Sequence, residues 1–283
     1  MITRHNEPLA KYSSFRTGGK AANIIFPEST EEFVTALREN PGAAVLGNLS
    51  NTLVLDGGID GTVIITTKLN SVSVNGNTVT AAAGASLTSV AVAARDASLA
   101  GCEFLYGIPG TVGGGVFMNA GAYGGEMKDI VESVKVLSKD GKIMELSNEQ
   151  MDFSYRHSCV AEQEYLVLSA VLKLRQEEPE RIFEFMELLR EQRSSKQPLE
   201  YPSAGSTFKR PERYFAGKLI MDAGLADYTI GGAAVSKKHC GFVINKGGAT
   251  AADILALIKH VQQVVKEQSG VELEPEVKLI GEF

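Results

Sequence analysis

The sequence predicts an α+β protein of two or three lobes. Helices with capping signals alternate irregularly with short apolar runs, and two hairpin signals fall in the middle of the chain. A long helical pattern then separates this strand-rich part from a last segment that has its own strong helix. The 283 residues, of which 44% are hydrophobic and 22% charged, are enough for separate hydrophobic cores.

A strand–helix–strand unit is predicted for residues 1–66. Ser29 precedes Glu32 by three residues, which is the pattern of a capping box at the start of a helix. The apolar runs at 43–47 and 62–66 end at turn-forming residues and predict buried strands. We expect this segment to form the first lobe.

Short strands dominate the prediction for residues 67–178, the second lobe. The dipeptides Asn-Gly at 75–76 and Asp-Gly at 140–141 lie between apolar runs and predict hairpin turns. One helix, residues 86–100, is expected to interrupt the strands.

Residues 179–283 are expected to form the third lobe. Its first helix has apolar residues at i, i+3, i+4 and i+7, namely Ile182, Phe185, Met186 and Leu189. A second helix is expected to begin at its cap Thr250 and to end before Gly270.

Composition excludes several classes of protein. A net charge of −6 argues against a general nucleic-acid binder, which needs a basic surface. Three widely spaced cysteines predict neither a disulfide framework nor a structural zinc site. The sequence has no apolar run long enough to span a bilayer and no hydrophobic leader. We therefore expect a cytoplasmic protein without a metal, a membrane anchor or an obligate protein partner.

Two loops are candidates for binding a phosphate group. The stretch GIPGTVGGGVFMN at 107–119 matches neither a flexible linker nor the spacing of a dinucleotide fingerprint or a P-loop. Its glycines predict a rigid loop with outward N–H groups, which suits a diphosphate. The stretch GNLSN at 47–51 follows an apolar strand and supplies polar side chains. The alternative is that both stretches are ordinary turns.

In this order the motifs resemble a known family. The chain is similar nearly end to end to the UDP-N-acetylenolpyruvoylglucosamine reductases (UDP-N-acetylmuramate dehydrogenases), flavoenzymes of peptidoglycan precursor synthesis, and to their shorter subtype. Eight ordered blocks carry the resemblance: 12–21, 47–64, 101–126, 153–158, 202–211, 217–225, 231–245 and 273–281. The resemblance implies roles in cell-wall biogenesis, cell shape and cell division.

The resemblance implies a two-lobed FAD-binding domain of the PCMH/VAO type followed by a C-terminal α+β substrate-binding domain. The FAD would be bound non-covalently, with its diphosphate on the two loops. The cofactor-binding residues it implies are Gly47, Asn48, Ser50, Asn51, Gly107, Pro109, Gly110, Thr111, Gly113, Gly114, Asn119, Gly121 and Ala122.

The implied reaction is a two-step hydride relay. NADPH reduces the flavin, and the enolpyruvyl ether of a UDP sugar then receives hydride and a proton. Such chemistry needs a proton donor and a cation on the substrate carboxylate, because an enolate forms there. The matching motifs assign these roles to Ser206 and Arg156, with Glu276 as the third catalytic residue. The implied substrate-binding residues are Tyr155, Lys209 and Lys218.

A local basic stretch supports a diphosphate ligand in the last lobe. Between Arg193 and Lys218 the chain has six basic and two acidic residues, a charge of +4 in a chain of −6. The alternative is an ordinary solvated charged surface. The chain departs from many relatives at Leu49, where they have glycine, and at Arg210, where they have asparagine.

Two other functions remain open at this point. A different flavoenzyme on the same scaffold, such as an oxidase of small alcohols or sugars, would often tether its flavin through a His or a Cys. A non-catalytic nucleotide-binding protein could keep the fold, although the chain retains all three catalytic residues.

Overall fold

A computed structural model describes residues 1–282. Within them the α-helices are α1 (Thr30–Glu39), α2 (Leu87–Asp96), α3 (Val112–Phe117), α4 (Cys159–Glu162), α5 (Pro179–Lys196), α6 (Ala216–Asp222) and α7 (Ala251–Ser269). The strands are β1 (Ile2–Pro8), β2 (Lys20–Phe26), β3 (Ala44–Leu46), β4 (Thr52–Val54), β5 (Ile59–Ile65), β6 (Val72–Asn75), β7 (Thr78–Ala82), β8 (Leu99–Ala100), β9 (Gly121–Ala122), β10 (Gly125–Glu126), β11 (Val131–Leu137), β12 (Ile143–Ser147), β13 (Leu166–Lys173), β14 (Arg175–Gln176), β15 (Thr229–Ile230), β16 (Ala233–Val235), β17 (Val243–Asn245) and β18 (Lys278–Ile280). This mixture of helices and largely antiparallel sheets confirms the predicted α+β class.

The chain forms two compact units that are interleaved along the sequence. The first unit contains residues 1–3, 25–48 and 63–193, and the second contains 4–24, 49–62 and 194–283, of which residues up to 282 are described. The sheet orders are β1-β2-β5-β3, β12-β11-β13-β7-β6 and β15-β16-β17, with two-stranded pairs β10-β9, β14-β8 and β18-β4.

The first unit is built around its five-stranded antiparallel sheet. The helix α2 begins at Ser86, whose side chain accepts a hydrogen bond from the N–H of Ser89, and buries Leu87, Val90, Ala91 and Ala94. These side chains join a core with inward-facing residues of β7, β11 and β13. Burial of this apolar surface is the main contribution that holds the sheet and the helix together.

Both predicted hairpins are confirmed in this sheet. β6 and β7 pair antiparallel with Asn75 opposite Thr78, and Gly76 has a φ of 56°. β11 and β12 pair antiparallel with Leu137 opposite Ile143, and Gly141 has a φ of 78°. The left-handed backbone of these turns explains the glycines.

Two details of the prediction are wrong. The helix at 86–100 is not alone among the strands, because α3 and α4 also lie in this part of the chain. Thr111 caps α3 by accepting the N–H of Gly114, so the second half of the glycine stretch is helical. On α5, Ile182, Met186 and Leu189 are buried as expected. Phe185 is 44% exposed and does not belong to the core of the first unit.

In the second unit, α7 packs on β16 and β17. The predicted cap is confirmed: Thr250 Oγ1 accepts from the N–H of Asp253, and Gly270 ends the helix with a φ of 71°. The carboxylate of Asp56 accepts two further N–H groups at the helix start, from Ala251 at 2.8 Å and Ala252 at 2.9 Å. An acidic side chain there also interacts favourably with the helix dipole.

Candidate active site

The two predicted phosphate-binding loops meet within the first unit. Asn48 Nδ2 donates a hydrogen bond of 2.8 Å to the carbonyl oxygen of Pro109. Gly47 approaches the same loop so closely that a Cβ on it would lie 2.3 Å from Thr111 Oγ1. Only glycine fits such an approach, so the loops form one surface.

The glycine-rich loop does not present all of its N–H groups outward as predicted. The N–H of Gly113 donates to Ala83 O at 2.8 Å, and the N–H of Val112 donates to Ala85 O. The prediction of outward N–H groups is therefore wrong at Val112 and Gly113, because the start of α3 is hydrogen-bonded to Ala83 and Ala85, which follow β7. Among residues 1–282, the N–H groups of Gly110 and Thr111 make no hydrogen bond.

The rest of the GNLSN stretch lies in the second unit. Leu49 is buried and has a φ of 47°, a left-handed conformation that favours glycine and explains the residue of many relatives. Asn51 Nδ2 donates to Glu276 O at 3.2 Å, while Asn51 O accepts from the N–H of Lys278 at 3.0 Å. Asn51 thus contacts the backbone of a predicted catalytic residue, and Ser50 precedes it in the chain.

Asn119 is completely buried and holds three segments of the first unit together. Its Nδ2 donates to Glu126 Oε2 and to Ser154 O, both at 2.9 Å, and its Oδ1 accepts from the N–H of Lys128 at 3.0 Å. These partners occupy the amide and the residue has no exposed surface, which counts against the predicted contact of Asn119 with the cofactor. The side chain instead positions the turn that follows Ser154.

That turn presents Arg156. Ser154 and His157 exchange backbone hydrogen bonds of 3.2 and 3.1 Å around it, and Arg156 adopts a φ of 56°. The guanidinium carbon lies 5.1 Å from the centroid of the Tyr155 ring, which is half exposed. A cation over an aromatic face at this distance is attracted to it, so Tyr155 orients Arg156.

Glu126 is a residue of this site that sequence reasoning missed. Burial raises the pKa of its carboxyl, but hydrogen bonds from Lys128 and Asn119 outweigh this, so that the pKa is lowered overall; the positive charge of Arg156 contributes further. The paired strands β9 and β10 set Gly121 opposite Glu126 and Ala122 opposite Gly125. The acidic residue just after the GAYGG motif was the available signal.

In the second unit the backbone brings Ser206 and Glu276 together. Thr207 is fully buried, and its carbonyl oxygen accepts the N–H of Glu276 at 2.8 Å. Its own N–H donates to Gly241 O at 2.8 Å, and its Oγ1 accepts from the N–H of Val243 at 2.9 Å. Ser206 and Glu276 are both half-buried on segments that this threonine holds in register.

The two predicted substrate lysines have local acidic partners. Lys209 Nζ pairs with Glu274 at 2.5 Å, and Lys218 pairs with Asp222 one turn along α6. Arg210 stacks on Phe215 with its guanidinium carbon 4.0 Å from the ring centroid. Such partly exposed pairs are weak, so an anionic ligand can compete for the lysines.

Two other kinds of feature, a metal-binding cluster and a membrane-spanning helix, are absent from residues 1–282. No group of three or more His, Cys, Asp or Glu side chains is arranged to hold a metal ion. In the same residues, no helix is both long and apolar enough to cross a membrane. The three cysteines are free and buried.

Known proteins resemble this chain along almost its whole length. The family described as FAD binding domain matches residues 21–147, and the UDP-N-acetylenolpyruvoylglucosamine reductase C-terminal domain matches 197–280. Reductases of that name from Pediococcus pentosaceus and Limosilactobacillus reuteri are each 51% identical over 98% of this chain, covering 94% and 95% of their own lengths. The crystal structure of UDP-N-acetylenolpyruvylglucosamine reductase from Thermus caldophilus matches with a TM-score of 0.86 at 35% identity, covering 99% of this chain and 98% of its own.

Proposed function

The chain belongs to the UDP-N-acetylenolpyruvoylglucosamine reductase family, and we propose that it reduces the enolpyruvyl ether of a UDP sugar in peptidoglycan precursor synthesis. It is an FAD-dependent oxidoreductase. The single observation that carries the proposal is the full-length match to reductases of this name, which includes both the FAD-binding and the C-terminal domain. We assign the hydride donor as NADPH and the compartment as the cytoplasm.

The first unit fits FAD. Gly47 carries no side chain where it approaches Thr111, which suits the close approach of a phosphate to the backbone of the two loops. The N–H groups of Gly110 and Thr111 are donors for it, together with the loop positions Gly107, Pro109 and Gly114. Asn48, Gly121 and Ala122 are the other proposed cofactor-binding residues of the first unit. Ser50 and Asn51 are proposed cofactor-binding residues of the second unit.

When bound and reduced by NADPH, FAD would supply the hydride that the substrate receives. Arg156 binds the substrate carboxylate, and its positive charge stabilises the negative charge that develops on that group as the enolate forms. The negative charge of Glu126 attracts the guanidinium of Arg156. Asn119 fixes the turn that carries Arg156 through its hydrogen bond to Ser154 O. Tyr155 lies beside the guanidinium and presents its exposed ring to the substrate.

Ser206 donates the proton to the substrate carbon. A serine hydroxyl is a weak acid, but an enolate carbon is a base strong enough to take its proton. Glu276 is the third catalytic residue. Its role is to hold in place the arrangement of charges formed by the proton donor Ser206 and the cation on the substrate carboxylate. Thr207 supports both residues through the backbone hydrogen bond to Glu276.

Lys209 and Lys218 are proposed to bind the diphosphate of the sugar nucleotide by exchanging their carboxylate partners for phosphate oxygens. The division into lobes at 1–66, 67–178 and 179–283 remains a proposal about folding units.

The visible spectrum of the purified protein tests this function. We expect bound flavin absorbance that is bleached by anaerobic NADPH. Flavin that stays on the polypeptide after acid precipitation would favour a covalent flavoenzyme of another kind. Colourless protein that takes up no FAD would favour a non-catalytic nucleotide-binding protein.

A further inference from the structure

Arg193, near the end of α5, is a buried cation whose donors are not satisfied. Only 8% of its surface is exposed, and its Nε and Nη2 atoms have no hydrogen-bond partner among residues 1–282. Burial lowers the pKa of the guanidinium, yet arginine remains protonated in proteins. Burying a charged group without a partner is unfavourable, so this arrangement costs the polypeptide folding free energy.

The guanidinium faces the glycine-rich loop of the first unit. A Cβ on Gly107 would lie 3.2 Å from Arg193 Nε and 3.3 Å from its Cδ, and Gly107 has a φ of 83°. On another side, the guanidinium carbon lies 5.6 Å from the centroid of the Tyr123 ring. Both neighbours belong to the segments that carry the proposed cofactor contacts.

Arg190 on the same helix shows the ordinary behaviour of an arginine. Its side chain is 55% exposed, and it pairs with Glu187 at 2.6 Å, one turn earlier. The burial of Arg193 is therefore specific to its position and not a property of the basic residues of α5.

We propose that Arg193 is a cofactor-binding residue, and that its buried N–H groups donate to an anionic oxygen of FAD beside Gly107. The inference rests on the proposed FAD site. Two parts of FAD have the required chemistry, the diphosphate and the pyrimidine edge of the reduced flavin ring. Each carries delocalised negative charge on oxygen, and a planar guanidinium with fixed donors suits either.

A purely structural role for Arg193 has different consequences. If the side chain only braced Gly107 and Tyr123, its loss would destabilise the protein whether or not FAD was bound. If Arg193 instead binds an anion of the cofactor, its replacement by an apolar residue of similar length removes an unpaired buried charge from the apoprotein. The apoprotein then keeps its stability. The two roles separate in the protein without flavin.

The experiment compares apoproteins of the wild type, Arg193→Met, Arg193→Lys and the control Arg190→Met, each as the full chain. We expect Arg193→Met to melt no lower than the wild-type apoprotein and to bind FAD about 10- to 100-fold more weakly in a fluorescence titration, as for the loss of a hydrogen bond to a charged group. Arg193→Lys should be intermediate, because it keeps the charge without the planar fork. Arg190→Met should bind FAD as the wild type does.

Two further measurements distinguish a contact with the diphosphate from a contact with the flavin ring. They are the affinity for riboflavin and the reduction potential of the bound flavin. Contact with the diphosphate predicts that both are unchanged in Arg193→Met, since riboflavin has no phosphate. Contact with the flavin ring predicts weaker riboflavin binding and a potential lower by about 30 mV for each tenfold loss of preference for the reduced form. Either result supports the inference.

Two results overturn it. One is FAD affinity and potential in Arg193→Met equal to those of Arg190→Met. The other is an Arg193→Met apoprotein that melts well below the wild type or fails to fold, which indicates a structural role. A wild-type apoprotein that binds no FAD would instead contradict the proposed function.

Discussion

Replacement of Asn119 by leucine tests the claim that this buried amide holds the site of the first unit. The substitution keeps the number and branching of the side-chain heavy atoms but removes two donors and one acceptor. It leaves the Lys128 N–H unpaired, and Ser154 O keeps only its hydrogen bond from the His157 N–H. The two bonds to backbone groups are worth about 1 kcal/mol each, and the bond to the Glu126 carboxylate about 2 kcal/mol. Leucine at a φ of 43° adds about 1 kcal/mol of strain. The expected loss is about 5 kcal/mol of unfolding free energy.

Urea denaturation followed by circular dichroism measures this loss. Asn77→Leu is the matched control, because Asn77 is exposed and its side chain accepts only a 3.3 Å bond from Gln176; it should change stability by about 0.5 kcal/mol or less. A loss below about 1 kcal/mol in Asn119→Leu, or one equal to that of Asn77→Leu, would refute the reasoning. Insolubility of Asn119→Leu alone would agree with it.

Three further predictions concern single residues. Ser206→Ala should reduce its flavin with NADPH at the wild-type rate but slow the transfer to substrate by about 10²- to 10⁴-fold, as measured by stopped flow; equal slowing of both steps would contradict its role as proton donor. Gly113→Ala should destabilise the apoprotein in thermal melts, because its Cβ would lie 3.2 Å from Ala83 O, whereas Gly114→Ala should not, because its Cβ would meet Thr111 Oγ1 only at 3.6 Å; equal effects would refute this. Burial raises the pKa of Cys102 from 9.0 to about 12, so its contribution to stability is present below pH 9 and lost between pH 9 and 12. Urea titrations should show a smaller decline over that range in Cys102→Ala, and identical declines would count against the shift.

Local signals in the sequence were sufficient for much of the fold. Ser29, Thr250 and Gly270 mark helix ends through hydrogen bonds or backbone angles that involve only a few neighbouring residues. The turns at 75–76 and 140–141 are equally local. Each of these interactions joins residues that are only a few positions apart, so a short sequence pattern is enough to predict it.

The errors come from contacts between distant residues. Phe185 lies on the predicted apolar face of α5, but the core of the first unit buries only Ile182, Met186 and Leu189 of that face. The Gly113 N–H looked free in the sequence, and its acceptor Ala83 lies 30 positions earlier in the chain. Arg193 looked like one basic residue among several, and only its surroundings distinguish it. No single-sequence pattern contains such partners.

Anaerobic reoxidation of the reduced protein by substrate tests the central claim most directly. The protein is reduced with one equivalent of NADPH and mixed with the enolpyruvyl ether of UDP-N-acetylglucosamine, and flavin absorbance is followed. The account predicts that absorbance returns with stoichiometric formation of the lactyl ether, UDP-N-acetylmuramate. Flavin that stays reduced until oxygen is admitted, with the enolpyruvyl ether unchanged, would contradict it.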